Sequence, residues 1–223
     1  MRQLLLTLAL ALGAAPAWAQ GTEEEPQAAP GSIATGMIEQ ADADGIFDLV
    51  HNGQVSVRHL GSGLRCDFNR DGSGGRIIVF GPPAGAPPTP NAIPRGDDVA
   101  CDITEGAVQI RTFATRYPFG STLEEQITGV EAAIRRRDAN AVHYDGPAVR
   151  DTEDGLPLRR NTRFIITHDG ARLYTRASVA RIGNWILKLR YTAPAPDDAA
   201  AAEADAAADL AFDFTLREII DRR

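Results

Sequence analysis

The residues that most resemble a chemical site lie in one short loop sequence, DFNRDGSGG, at residues 67–75. Side-chain oxygens recur there at alternate positions, on Asp67, Asn69, Asp71 and Ser73. This spacing suits a hard cation, and Gly72 stands where a calcium-binding loop bends most sharply. The closing position, which needs a bidentate carboxylate, is occupied by Ile78. The alternative is a hairpin loop that uses these residues for their turn propensity.

The chain contains two cysteines, Cys66 and Cys101. A single pair in an exported protein predicts a disulfide bond, because oxidising compartments favour its formation. A metal-binding pair and a reactive thiol are the alternatives. Neither cysteine has a second Cys or His close in sequence, and neither stands in a motif that would activate a thiol.

Motifs for catalysis or cofactor binding are not found in the sequence. It has no GxSxG, HExxH or Walker motif, and the GSG sequences at residues 61–63 and 72–74 are typical of turns. The four histidines are scattered along the chain, at His51, His59, His143 and His168. Their spacing predicts no metal site, and we predict no cofactor.

Residues 1–19 have the pattern of a secretory signal peptide. Arg2 provides the positive start, Leu4–Leu12 the apolar segment, and Ala17–Ala19 the cleavage site with small residues. The apolar segment is shorter than the roughly 20 residues that span a bilayer. We therefore predict a periplasmic or secreted protein without a membrane span.

The composition is acidic, with 23 Lys and Arg against 30 Asp and Glu, a formal net charge of −7. Affinity for nucleic-acid backbones depends on cations that neutralise phosphates, so we predict no nucleic-acid partner. Residues 20–44 contain many Glu, Pro and small side chains, and we predict a disordered linker there. Residues 45–223 are predicted to form a single domain.

One segment, Ser121–Arg137, has the features of an amphipathic helix. Apolar residues recur in it at helical spacing, at Leu123, Ile127, Val130 and Ile134. Ser121 and Glu124 fit a capping box. Three arginines end the segment, where the helix dipole favours cations.

A second helix is predicted at the end of the chain. It follows Pro196, is capped by Asp197 or Asp198, and runs to about Asp221. It is rich in alanine, which has the highest helix propensity. We expect it to face the core with Leu210, Phe214, Ala207 and Ala211.

Strand-forming sequence surrounds the first helix and predicts an antiparallel sheet. Asn52-Gly53 predicts a two-residue hairpin turn in which Val50 pairs with Val55. Further strands are predicted at residues 64–68, 76–80, 108–117 and through most of 161–191. Loops are predicted at residues 82–94, which contain six prolines, and at 139–158, where one strand is an alternative.

The segment 161–191 predicts two successive hairpins. The first turns at Asp169-Gly170 and pairs Ile166 with Leu173. The second turns near residues 182–184, where the loop length decides the register.

A two-residue second loop would set Val179 opposite Lys188. A three-residue loop sets Val179 opposite Leu187 and collects the apolar side chains on one face, so we predict three residues.

That register places five cations together on the other face of the sheet: Arg163, Arg172, Arg176, Lys188 and Arg190. Like charges opposed on adjacent strands destabilise a sheet, so the predicted strip requires compensation. One possibility is that the acidic final helix covers it with Asp205, Asp209 and Asp213. The other is that the strip binds an anionic partner.

The elements together indicate an α+β fold, an antiparallel sheet covered by a central helix and a C-terminal helix. Their order, and the run GNWILKLRYTAP at residues 183–194 leading into the last helix, resembles the Mog1/PsbP-like α-β-α sandwich over roughly residues 45–220. The insertion that holds the proline-rich loop and the cysteines departs from that pattern. The resemblance implies a non-catalytic accessory or binding role.

Three functional hypotheses follow. The first is an exported accessory or binding protein whose partner is a protein or an anionic component of the cell envelope. The second is a hydrolase-type enzyme with a site assembled from residues distant in sequence. The third is a calcium-stabilised extracellular module.

Overall fold

A computed structural model describes residues 28–83, 85–87, 92–149 and 151–222. The predicted signal peptide, the linker up to residue 27 and part of the proline-rich loop lie outside these ranges. Within them the chain forms the helices α1 Pro30–Gln40, α2 Leu123–Arg137 and α3 Asp198–Ile220. The strands are β1 Phe47–Leu49, β2 Ser56–His59, β3 Arg65–Asp67, β4 Gly75–Val79, β5 Asp98–Glu105, β6 Val108–Thr115, β7 Val142–His143, β8 Arg159–His168, β9 Ala171–Ile182 and β10 Trp185–Pro194.

The strands form two antiparallel sheets. A small sheet has the order β1-β2-β3, and a seven-stranded sheet has the order β4-β5-β6-β10-β9-β8-β7. Helix α2 packs against β8 and β9 on one face of the large sheet, and α3 packs against β9 and β10. The predicted α+β class, with a central and a C-terminal helix, is confirmed.

Both faces of the large sheet are buried, and this determines the pattern of apolar residues along its strands. On the α3 face, Leu187 and Leu189 of β10 belong to one core with Phe212 of α3. On the α2 face, Phe164 of β8 lies in a smaller core with Ile134 of α2. Strands covered on both sides carry apolar residues at adjacent positions instead of alternating with polar ones.

The first hairpin of the segment 161–191 is confirmed. Ile166 pairs with Leu173 across the turn. Asp169 and Gly170 both have positive φ, at 50° and 78°, as a two-residue turn of the type favoured in hairpins requires.

The second hairpin does not have the predicted loop. Only Gly183 and Asn184 connect β9 to β10, and Val179 lies opposite Lys188. The prediction assumed a single buried face. Because α2 and α3 cover opposite faces, gathering the apolar residues on one side is the wrong criterion for the register.

The capping box of α2 lies one residue later than predicted. The Glu125 backbone N–H donates to the Thr122 hydroxyl at 3.1 Å, and the Thr122 N–H donates to the Glu125 carboxylate at 2.8 Å. The carbonyl of Ser121 instead accepts a hydrogen bond from Arg181 of β9. The sequence offers both registers, and the structure uses the second.

The predicted linker is wrong from Pro30 onward, because Pro30–Gln40 form α1. Ala34, Met37 and Ile38 lie on one side of this helix and are buried in the main core. Pro30 occupies the first turn, where a missing backbone N–H costs no helical hydrogen bond. Three apolar residues at helical spacing outweigh the polar composition around them.

The Asn52-Gly53 turn is part of a longer connection over residues 50–55. Leu49 pairs with Val57, so the predicted pairing of Val50 with Val55 is shifted by one residue. The Gln54 N–H donates to the Asn52 side chain at 3.1 Å. This local bond shapes the loop, and Val55 is buried in the core instead of flanking a tight turn.

Helix α3 is capped by Asp197, as predicted, which accepts from the Ala200 N–H at 2.8 Å. It turns a different face to the core, however. Leu210 is 72 % exposed and Phe214 is 56 % exposed, and Ala207 is exposed as well. The buried residues are Ala201, Ala204, Asp205, Ala208, Phe212, Leu216 and Ile219.

Strand β5 was not predicted, and it carries one half of the disulfide. Cys66 of β3 is bonded to Cys101 of β5, with Cα atoms 6.0 Å apart. The predicted disulfide is confirmed. Because β3 belongs to the small sheet and β5 to the large one, the bond ties the two sheets together.

Candidate functional site

The structure divides the five cations of the predicted strip between the two faces of the large sheet. Arg176 pairs with Tyr191 and Arg190 pairs with Ala177, so the side chains of Arg176 and Arg190 point to opposite faces. Arg163 pairs with Arg176 and shares its face, as does Arg172. The predicted single strip is therefore wrong, since it depended on the three-residue loop.

Three of the five cations lie on the α3 face and are paired with its carboxylates. The Nη1 atom of Arg163 lies 2.8 Å from Asp205, and that of Arg176 lies 3.1 Å from the same carboxylate. Arg176 is fully buried and also donates to Asp209. Arg172 is paired with Asp198 at 2.5 Å. For these three, the acidic final helix provides the compensation.

Asp213, the third acid of the predicted covering set, pairs with Arg159 of β8. The sequence analysis did not single out Arg159, which is 1 % exposed. Its position at the start of β8 places it on the same face as Arg163 and Arg176. The network of arginines and aspartates under α3 is thus larger than the predicted strip, and it is internal.

Lys188 lies on the α2 face and has neutral partners. Its ammonium group donates to the Tyr117 hydroxyl at 3.2 Å and to Gln126 at 3.4 Å. It also lies 5.4 Å from the centre of the Phe113 ring, within the range of a cation–π contact.

Arg190 lines a pocket of about 200 Å³ on the same α2 face. We call this cavity the arginine pocket, because Arg111, Arg137 and Arg190 contribute to its wall. Ile166 and Leu173, which pair with each other across β8 and β9, form an apolar part of the wall. Helix α2 covers β8 and β9, and its last residue is Arg137.

The pocket lies against a row of charged residues on four adjacent strands. The pairings Arg76 with Asp102, Asp102 with Arg111, and Arg111 with Arg190 place these side chains on one face. Asp102 accepts hydrogen bonds from both Arg76 and Arg111. One carboxylate therefore serves two guanidinium groups, and Arg190 at the end of the row has none.

The side chain of Arg190 makes no hydrogen bond or ion pair with any residue that the structure describes. Its Nε atom is buried, as is the Nε atom of Arg111, and neither has a hydrogen-bond partner. Burial, together with the charges of Arg137 and Arg111, lowers the pKa of Arg190 to about 10. The folded protein thus holds a cation in a place that disfavours its charge.

The surroundings of Asp102 favour its charged form, unlike those of Arg190. Burial alone would raise its pKa, but hydrogen bonds from Arg111 and Arg76 outweigh that effect and the pKa is lowered. Asp102 is therefore an ionised acceptor whose Oδ2 atom binds Arg76 and Arg111, and it makes no hydrogen bond with the side chain of Arg190.

Besides Arg190 and Arg111, Arg58 is the third arginine among the described residues with buried, unpaired side-chain nitrogens. Burial, Arg222 and Arg65 lower its pKa, but the carboxylates of Glu218 and Asp48 act in the opposite direction. Arg58 therefore has counter-charges nearby. The charged groups that perturb Arg190 are cations alone.

The residues of the candidate calcium loop bind one another or nearby protein groups. Asp67 accepts from Arg65 at 2.7 Å. The Asn69 amide donates to the Ser73 carbonyl at 2.8 Å, and Asp71 accepts from the Ser73 N–H at 2.9 Å. Ile78 lies within β4. Among the described residues, no cluster of three or more His, Cys, Asp and Glu is placed to hold a metal.

Three of the histidines, His51, His143 and His168, are exposed, and His168 lies at the edge of the arginine pocket. His59 is buried at 2 % exposure, with its Nδ1 atom 2.8 Å from the Ser62 hydroxyl. Ser62 is also buried, so this serine–histidine pair has no access to a substrate.

Comparison with protein-family models found no match for the chain. No curated protein matches its sequence either. Among the residues that the structure describes, no helix is long and apolar enough to cross a bilayer.

The sequence analysis found one of the three pocket arginines, Arg190, and missed the role of the other two. The alternation along β6 places Gln109, Arg111 and Phe113 on one face, but its neighbours in the sheet were unknown. Strand β5, which holds the partner of Arg111, had not been recognised. Arg137 was explained by the helix dipole alone.

Proposed function

We propose that this protein is an exported binding or accessory protein, and that its ligand carries an anionic group held in the arginine pocket. The observation that carries the proposal is the unpaired, partly buried guanidinium of Arg190 beside Arg111 and Arg137. Export is supported by the leader pattern of residues 1–19 and by the Cys66–Cys101 disulfide.

A buried cation without a counter-ion lowers the stability of a fold. The two most deeply buried arginines of the described residues are both paired, Arg176 with Asp205 and Arg159 with Asp213. Arg190 is an exception inside a pocket, where an incoming anion would supply the missing charge and accept from its terminal Nη groups. Charged groups with strongly shifted pKa values are common at functional sites.

Binding fits the chemistry of the pocket better than catalysis does. Guanidinium groups stay protonated at neutral pH and do not exchange protons, so the arginines serve as donors and charges. Asp102 is held in its ionised form by two arginines. An anion held between such groups would be oriented without proton transfer. The predicted resemblance to the Mog1/PsbP-like fold, if it holds, implies the same non-catalytic role.

The proposal predicts that Arg190→Met raises the stability of the ligand-free protein. Methionine keeps the apolar part of the side chain and removes the charge, so the free energy of unfolding should rise by about 1–2 kcal/mol. Arg136→Met is the matched control, because Arg136 is exposed on the same helix as Arg137 and does not line the pocket. Chemical denaturation of the two variants measures the difference.

Binding is then tested by calorimetry with inorganic phosphate, acetate and longer carboxylates at constant ionic strength. We expect at least one of these anions to bind the wild type and the Arg136→Met variant, and to bind Arg190→Met at least tenfold more weakly. The proposal is wrong if Arg190→Met lowers the stability of the protein, which would show a structural role for Arg190. It is also wrong if the affinity for anions is the same in Arg190→Met as in the wild type.

A further inference from the structure

The arginine pocket joins a charged wall to an apolar one. Arg190 and Arg111 lie directly opposite each other on β10 and β6. Ile166 and Leu173 lie opposite each other on β8 and β9, four residues along β9 from Ala177, the partner of Arg190. All of these residues belong to the same face of the sheet. A ligand that fills the cavity must therefore contact both kinds of surface.

Few polar groups near the apolar wall are available to bind a ligand, because they are hydrogen-bonded within the protein or exposed to solvent. The Thr192 hydroxyl is hydrogen-bonded to Thr175 at 3.0 Å. Gln109 and His168 are exposed at the edge of the pocket, where water can solvate them. A ligand with polar atoms all round would leave those that face Ile166 and Leu173 without partners, at a cost in affinity.

The charges favour a ligand with a single negative group. Asp102 also lines the pocket and is paired with Arg111, so Arg190 is the cation of the sheet wall that remains for the ligand. A carboxylate is planar and matches the paired donors of a guanidinium group, and it would accept from the terminal Nη groups of Arg190, which are not among the buried unpaired atoms.

Resting on the proposed function, we infer that the ligand is a small aliphatic monocarboxylate, its carboxylate at Arg190 and its carbon chain along Ile166 and Leu173. The cavity of about 200 Å³ limits the size of this ligand. At roughly 30 Å³ for each water-sized group, it holds about seven non-hydrogen atoms, close to the size of hexanoate.

The test is a calorimetric series of acetate, butanoate, hexanoate and octanoate, with inorganic phosphate beside it. Affinity should rise by about fourfold for each added methylene up to hexanoate, then stop rising at octanoate. Phosphate should bind more weakly than hexanoate. In the Ile166→Thr, Leu173→Thr double variant the gain with chain length should disappear, while acetate binding stays as in the wild type.

Circular dichroism and thermal unfolding of the double variant establish that it is folded. Leu158→Thr is the control, because Leu158 is an exposed leucine outside the pocket. If acetate or phosphate binds through Arg190 without any gain from chain length, the inference is wrong and the proposed function stands. A gain that survives the double variant also overturns the inference. If no anion binds, or if the affinity for anions is unchanged in Arg190→Met, the proposed function itself is wrong.

Discussion

His59 is a buried base whose neutral form is built into the fold. Its ring lies between the rings of Phe47 and Trp185, with centroids 5.3 and 5.1 Å away. Its Nδ1 atom accepts from the Ser62 backbone N–H at 3.2 Å, which requires that nitrogen to be unprotonated. Burial lowers the pKa of His59 to about 4, against the opposing effects of a Gly96 hydrogen bond and Asp97.

This lowered pKa predicts a loss of stability in mild acid. Between pH 6.5 and about 4 the unfolded chain binds a proton at His59 and the folded chain does not, so acid favours unfolding. The contribution is fully present above pH 6.5, and up to about 3 kcal/mol is lost as the pH falls through this window. Denaturant unfolding at pH 7.5, 6.5, 5.5 and 4.5 measures it.

The His59→Gln variant provides the comparison, since it has no titrating ring. Asp213 contributes with the opposite sign, because burial and a hydrogen bond with Glu153 raise its pKa to about 6. That contribution is present in both proteins and cancels in their difference. Equal pH dependence of the wild type and His59→Gln would contradict the assignment to His59.

At the level of elements, α3 is held to the large sheet by ion pairs as well as by apolar packing. Asp205 lies in the buried stripe of the helix and accepts from the Tyr174 hydroxyl at 2.5 Å, from Arg163 at 2.8 Å and from Arg176 at 3.1 Å. One carboxylate thus meets three donors from β8 and β9. The stripe with Leu210 and Phe214 faces outward instead.

Substitution of Asp205 by alanine should therefore destabilise the protein strongly. It would leave the fully buried Arg176 with weakened compensation and Tyr174 without its acceptor, at a cost of about 3–5 kcal/mol. Asp198→Ala is the control on the same helix, because Asp198 is 89 % exposed and its pair with Arg172 is open to solvent.

Urea unfolding should show a large drop in midpoint for Asp205→Ala and little change for Asp198→Ala. Comparable effects for the two variants would show that the buried network contributes no more to stability than a surface pair does.

At the level of the whole molecule, the disulfide connects the two sheets. Cys66 lies in the small sheet, Cys101 lies in the large one, and both are buried in the core that α1 and α3 share. The bond closes a segment with a sequence separation of 35 residues, which includes the proline-rich loop. Cross-linking such a segment removes entropy from the unfolded chain.

Loss of the disulfide should lower the stability of the protein by about 3–4 kcal/mol, and the melting temperature by several degrees. The Cys66→Ser, Cys101→Ser double variant and the wild type in reductant should show the same shift in thermal unfolding. Reductant should not affect the double variant further. Thiol labelling of both cysteines in the native protein would contradict the prediction that the bond forms.

The sequence by itself determined the features that depend on neighbouring residues. The stripe of Leu123, Ile127, Val130 and Ile134 specified α2, and Asp169-Gly170 specified a hairpin with its register. Asp197 specified the start of α3, and the single pair of cysteines in a chain predicted to be exported specified the disulfide. In each case the determining residues are close together in sequence, or, for the disulfide, each cysteine has only one other cysteine to bond with.

The tertiary structure decided what depends on the surroundings of an element. The loop between β9 and β10 was predicted wrongly because a sheet buried on both faces cannot be recognised from β9 and β10 alone. The buried face of α3 was missed for a similar reason, since the carboxylate of Asp205 argues against burial until its arginine partners are known.

The arginine pocket depends on this longer-range information most of all. Arg111, Arg137 and Arg190 come from two strands and a helix end that are distant in sequence. Their proximity follows from the pairing of β6 with β10 and from the position of α2 over β8 and β9. That Arg190 lacks a counter-charge is a property of all its neighbours together, because the field at one side chain is the sum of the charges that the folded chain places around it.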